Sequence, residues 1–216
     1  MTIQKHLDFA TLMSYSSGAL SEPLSAVVFS HTELCFKCKS ELKKMDLIGS
    51  ALLEDIEPAD LDKRSIESIV SHQITDSNAP ESEKSHVEVD LRRLVMRLLH
   101  GQSTDIDWKW LGPGMKYYKI PLSKDVQGDL RLVKFAPGIK IPEHGHNGAE
   151  LTLVLKGAYR DETGRYGPGD IADLDEDIEH QPVVEDAEEC ICLVGAESYA
   201  RFKGMFNRLL QPLFGM

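Results

Sequence analysis

His31, Cys35 and Cys38 fall at positions i, i+4 and i+7. On a continuous helix that spacing places one imidazole and two thiols in one narrow stripe. Three such donors suit tetrahedral zinc, which needs a fourth ligand. His6, ahead of the first expected helix, is the nearest candidate in the chain. Closing that site pins one helix to the next and staples a small helical domain. A second group lies far downstream. His144 and His146 are spaced i and i+2, so on a strand they share a face, and Glu150 on the following strand reaches the same point. His180 can add a third imidazole from across a barrel. Three histidines and a carboxylate accept zinc, manganese, iron or nickel. Cys190 and Cys192, the remaining two of four cysteines, flank one residue and put their thiols on one face. They are either oxidation targets beside the second metal or small apolar fillers of a core. His72, His86 and His100 have no such neighbours and are expected at the surface.

The elements that carry these residues divide the chain in two. Asp8 is placed to cap a short helix ending at Gly18, and Ser21 with Pro23 marks the start of another. From Leu24 to about Leu53 there is no proline and one glycine, Gly49. Pro58 and Asp60 introduce a further helix with Ile66, Ile69, Val70 and Ile74 on one face. Residues 1–76 are therefore expected to be an all-α helical bundle. Residues 77–90 are polar and contain proline, as a linker does. Residues 91–216 open with a short amphipathic segment, Leu91 to Leu99, and then alternate apolar and polar residues between turns. Strands are expected at Lys116–Pro121, Asp129–Ala136, Glu150–Lys156, Asp170–Leu174 and Cys190–Val194, with a short helix from Lys203 to Gly215. Many short strands with regular turns indicate an all-β barrel or sandwich, so the fold class is α+β in two domains.

Composition narrows the function classes. The chain has 216 residues and a formal net charge of −11, which disfavours direct contact with nucleic acid and leaves room for a basic protein partner. No apolar run approaches the roughly 18 residues needed to span a bilayer. The N-terminus lacks the apolar core of a secretory signal, and a cytoplasmic protein is expected.

Two resemblances sharpen this reading. The His31–Cys35–Cys38 pattern, the early His6 and the stretch from Tyr15 to Ser21 resemble the zinc-containing anti-sigma factors. The run Gly138, His144, His146, Glu150 and Gly157 resembles the first cupin motif without departure. The second cupin motif is kept in part: Gly167, Gly169, Asp170 and His180 are present, their separation is long, and Val184 stands where asparagine is usual. A cupin behind a histidine–cysteine helical domain resembles the ChrR family over nearly the whole chain, including Asp161, Glu162, Thr163, Gln211 and Pro212. The resemblance implies a regulator and no catalytic residues. Its helical domain would alone suffice to bind an extracytoplasmic-function sigma factor, one to one. Its cupin would respond to singlet oxygen and related oxidants in the oxidative stress response. It also implies two zinc sites, His6/His31/Cys35/Cys38 and His144/His146/Glu150/His180, the second open to another divalent metal. The rival reading is a metal-dependent cupin enzyme, such as a dioxygenase, with a helical appendage.

Overall fold

The computed structural model describes residues 2–59, 67, 83–102, 105–146, 148–174, 178–198 and 201–202; for 83–90 and 201–202 only the backbone is described. Helices among the described residues include α1 (Phe9–Ser16), α2 (Glu22–Thr32), α3 (Phe36–Glu54) and α4 (Glu83–Leu99). Asp8 caps α1 by accepting from the Thr11 amide at 2.6 Å. Gly18 ends that turn at φ 71°, a conformation that costs glycine nothing. Pro23 sits in the first turn of α2, where its missing N–H has no helical partner to lose.

The expected single stripe across His31, Cys35 and Cys38 does not form on one helix. α2 stops at Thr32 and α3 starts at Phe36, with Cys35 as an extended N-cap at φ −100° and ψ 102°. The kink lets the Cys35 sulfur turn back and accept from the Cys38 amide at 3.5 Å. Within the stretch expected as a linker, residues 83–90 are helical and form the first half of α4, continuous with the amphipathic segment that follows. The helix expected after Pro58, with Ile66, Ile69, Val70 and Ile74, and the helix expected from Lys203 to Gly215 lie outside the described residues.

The remaining chain is mostly sheet. A six-stranded antiparallel sheet has the order β1 (Lys109–Gly112), β2 (Met115–Lys119), β3 (Asp129–Phe135), β10 (Cys190–Ala196), β5 (Glu150–Lys156) and β8 (Ile171–Leu174). A second sheet joins β6 (Tyr159–Asp161) to β7 (Gly164–Tyr166) and β9 (Val183–Val184), and a third pairs β4 (His144–Gly145) with β11 (Arg201–Phe202). Among the described residues the strands form three separate sheets, so the expected barrel is not closed by one continuous ladder. β4 and β9 are two residues long and carry too few backbone groups to bridge sheet to sheet.

Both faces of the six-stranded sheet are covered, which is why its central strands read as near-continuous apolar runs. On one face Cys190, Cys192, Val154, Ala172 and Leu174 pack with Tyr159, Tyr166 and Val184 from the second sheet. On the other, Leu130, Leu132, Leu151, Leu153, Ile171 and Leu193 belong to one core with Leu24, Val27 and Val28 of α2, Met45 of α3 and Leu91, Val95 and Leu98 of α4. Among the described residues the helices share one apolar core with the sheet. Gly195 makes the contact possible, since a Cβ there would lie 2.4 Å from the Pro23 carbonyl oxygen.

Candidate metal centres

The first cluster forms where the N-terminal segment, the end of α2 and the start of α3 converge. His6 Nδ1 lies 3.2 Å from Cys35 Sγ and 3.8 Å from Cys38 Sγ, and His31 Nε2 lies 3.3 Å from Cys38 Sγ. A tetrahedron with Zn–N and Zn–S bonds of about 2.05 and 2.3 Å has N–S edges of about 3.6 Å, so the donors stand at the right spacing. His31, Cys35 and Cys38 are buried and His6 half-buried. Burial pushes the Cys38 thiol up to about 11 and, outweighing a backbone hydrogen bond, brings His31 down to about 4. A neutral imidazole is what a metal requires, and a dication is what a buried thiolate requires. The donor set fits a metal ion. His31 uses its other nitrogen, Nδ1–H, to donate to the Gly169 carbonyl at 3.1 Å, which fixes the tautomer with Nε2 free toward the sulfurs.

The second cluster lies between the sheets. His144 and His180 pair across an antiparallel bridge, with their Nε2 atoms 3.1 Å apart, and His146 Nε2 lies 3.4 Å from His180 Nε2. Glu150 Oε2 is 3.4 Å from His146 Nδ1. Burial lowers His144 to about 4. For Glu150 burial acts upward, but the hydrogen bond to His146 and the surrounding imidazoles outweigh it and hold the carboxyl at about 2. Three imidazoles beside an ionised carboxylate fit a divalent cation. Each outer nitrogen has a partner that orients the ring. His144 Nδ1–H donates to the Pro142 carbonyl at 2.9 Å, and His180 Nδ1–H donates to Asp161 Oδ2 at 2.9 Å.

All eight expected donors therefore meet in two groups of four. Cys190 and Cys192 do not join either one. Their sulfurs lie 3.7 Å apart, fully buried in the core facing Tyr159 and Tyr166, and the Cys190 hydrogen bond together with burial raises the Cys192 thiol well above its ordinary value. Of the three histidines expected at the surface, His100 is exposed, and the side chains of His72 and His86 lie outside the described residues. Sequence reasoning missed Asp161 as the carboxylate behind His180. It also missed Asp170, whose 4% exposed side chain accepts from the amides of Gln4 and Lys5. Asp161 stood in the family resemblance with no role attached to it, and nothing local to Asp170 reveals a partner 165 residues away.

Comparison with known proteins agrees with this layout. The ChrR cupin-like domain family matches residues 97–200. The anti-sigma-E factor ChrR of Cereibacter sphaeroides is 36% identical over 217 residues, covering 99% of each chain. The crystal structure of Rhodobacter sphaeroides SigE in complex with the anti-sigma ChrR matches with a TM-score of 0.73 and 37% identity, covering 90% of this chain and 99% of that one. With similarity running through the helices that carry the first cluster and the sheets that carry the second, the chain belongs to the ChrR family.

Proposed function

We infer that this protein is an anti-sigma factor that sequesters a sigma factor of the extracytoplasmic-function type in a one-to-one complex. The observation that carries this reading is full-length similarity to ChrR, including the fold of ChrR in its complex with SigE. The surface of the helices supports it. Leu47, Ile48, Leu52, Leu53 and Ile56 along α3 and its end are each at least 60% exposed, and Phe9 and Met13 of α1 are exposed as well. Exposed apolar side chains in such number are what a protein–protein contact covers. Residues 1–76 are the sigma-binding part in this reading, the stretch around 77–90 is the connection, and residues 91–216 receive the signal. The site of action is the cytoplasm, where polymerase assembles.

His6, His31, Cys35 and Cys38 would hold a zinc ion that stitches the entry to α1 onto α2 and α3, so that α1 and α3 present one surface. His144, His146, Glu150 and His180 would hold zinc or another divalent metal between the sheets. Oxidants acting through that domain lower affinity for the partner, a coupling between two sites on one chain. The protein is a regulator and not an enzyme in this account; oxygen consumption with a small diketone or thiol by the iron-loaded protein would instead favour a dioxygenase. The test is co-expression with an extracytoplasmic-function sigma factor. A stable 1:1 complex that blocks sigma-dependent transcription in vitro is expected, and transcription undiminished by excess protein would refute the proposal.

A further inference from the structure

The N-terminal segment that carries His6 is held by the sheet domain. Asp170 Oδ1 accepts from the Gln4 amide at 2.6 Å and the Lys5 amide at 2.9 Å, while its Oδ2 accepts from the Gly167 amide at 2.9 Å and so fixes its own turn. Asp173 accepts from the Asp8 amide at 3.0 Å and the Thr11 hydroxyl at 3.2 Å. Lys5 Nζ donates to the Thr163 carbonyl at 2.9 Å and stands 5.2 Å from the Tyr166 ring centre. Asp173 lies on β8, the edge strand of the six-stranded sheet, and Asp170 immediately precedes it. The neighbouring Gly169 carbonyl sets the tautomer of His31. Two of the four donors of the first cluster thus owe their placement to one turn of the other domain, residues 167–170.

We propose that Asp170 is a positioning residue of the N-terminal metal centre, supplied by the sheet domain, so that metal binding at His6, His31, Cys35 and Cys38 and closure of the helix–sheet contact stabilise each other. The inference rests on the zinc assignment made above. Groups that orient metal ligands from behind are worth about 10- to 100-fold in affinity when removed. His6 is the most dependent of the four, because it precedes the first helix and has no regular element of its own to hold it. The coupling is reciprocal by thermodynamic necessity: whatever pulls the 167–170 turn away from residues 4–8 weakens the metal, and losing the metal frees the segment. The same region leads to the second cluster. Thr163, whose carbonyl holds Lys5, donates from its amide and hydroxyl to Asp161 Oδ1 at 2.8 and 2.6 Å, and Asp161 Oδ2 orients His180. A change at the cupin metal has a short hydrogen-bonded route to the segment bearing His6.

The full-length protein loaded with cobalt tests this, because thiolate-to-cobalt charge transfer arises only where cysteine ligates and therefore reports the first site alone. Asp170→Asn replaces an acceptor oxygen with an NH2 group and leaves at least one of the three amides without its partner. Gln4→Pro removes an amide donor from the opposite side and leaves the Asp170–Gly167 turn intact. Both variants are expected to lose the charge-transfer band to a chelator about 10 times faster than wild type. In wild type, removing the metal should speed hydrogen exchange in residues 4–11. Unchanged loss in Gln4→Pro overturns the proposal, whether or not Asp170→Asn is affected or folds, because the carboxylate would then act only within its own domain. A wild-type protein that never develops the band is a different failure, that of the metal assignment itself.

Discussion

Replacing Gly195 with alanine drives a methyl group into the backbone of α2. The added Cβ would lie 2.4 Å from the Pro23 carbonyl oxygen and 2.9 Å from both the Pro23 carbonyl carbon and Val27 Cγ2. Ordinary contact begins near 3.4 Å, so the start of α2 must retreat by about 1 Å, and two of the three obstacles are backbone atoms that cannot rotate away. Overpacking of this kind costs roughly 1–3 kcal/mol. At about 2 kcal/mol a chain of this size melts ~6 °C lower. Leu24, Val27 and Val28, each at most 1% exposed, are the side chains that lose their seat on Leu130, Leu151 and Leu193. Gly49 provides the control. It lies inside α3 with nothing within 4 Å of its added Cβ, so Gly49→Ala should stabilise the protein by about 0.8–1 kcal/mol. The assay is thermal unfolding of both variants by circular dichroism under one metal load. A melting temperature for Gly195→Ala within a degree of wild type would refute the claim that α2 shares its core with the sheet.

Glu33 joins α3 to α4 by accepting from Lys39 at 2.8 Å and Arg92 at 2.5 Å, and the Lys39 hydrogen bond holds its carboxyl below the ordinary 4.5. A depressed carboxylate contributes stability above its unfolded value and loses it as pH falls through the folded one. Glu33→Gln should therefore cost up to about 1 kcal/mol at pH 7, with the difference fading below pH 4.5, as read by denaturant melts across that range. Because burial keeps Cys38 protonated to about 11, zinc uptake by the reduced apoprotein should release its proton at pH 8; calorimetry in buffers of different ionisation enthalpy would show this, and equal heats would contradict it. Asp161→Asn should weaken metal at the second cluster by about 10- to 100-fold in a chelator competition, and an unchanged affinity would contradict its role behind His180. Cys190 and Cys192, packed in the core, should resist alkylation until the protein is unfolded; rapid labelling of the native state would make them accessible redox groups instead.

The residues that carry chemistry were legible because metal ligation imposes spacings that chance seldom supplies. His31, Cys35, Cys38, His144, His146 and Glu150 were named from their intervals, His6 and His180 from their place in the chain and the resemblance, and the two groups close in space. Strand β5 runs from Glu150 to Lys156 as its alternation predicts, and β3 and β10 depart from expectation by one or two residues at their ends. What escaped notice depends on distance. The break between α2 and α3 has no proline or glycine to announce it, since the turn at Glu33–Cys35 is stabilised by the site it builds. Residues 83–90 are polar enough to read as linker, yet they continue into a helix whose next two turns carry Leu91, Val95 and Leu98 into the core. The fusion of helices and sheet rests on Gly195, Asp170 and Asp173 meeting residues more than 150 positions away. No local pattern encodes such pairings. The six strands of four residues or fewer missing from the expected set are too short for alternation to register.

The account stands on a metal ion that organises α1, α2 and α3 into a surface for a sigma factor. Its most direct test is the metal content and sigma binding of the Cys35→Ser, Cys38→Ser double variant beside wild type, both purified after co-expression with the partner. Wild type should carry metal at the first cluster and hold the sigma factor, and the double variant should lose both together. A double variant that keeps its partner at wild-type affinity, with the first metal gone, would contradict the account.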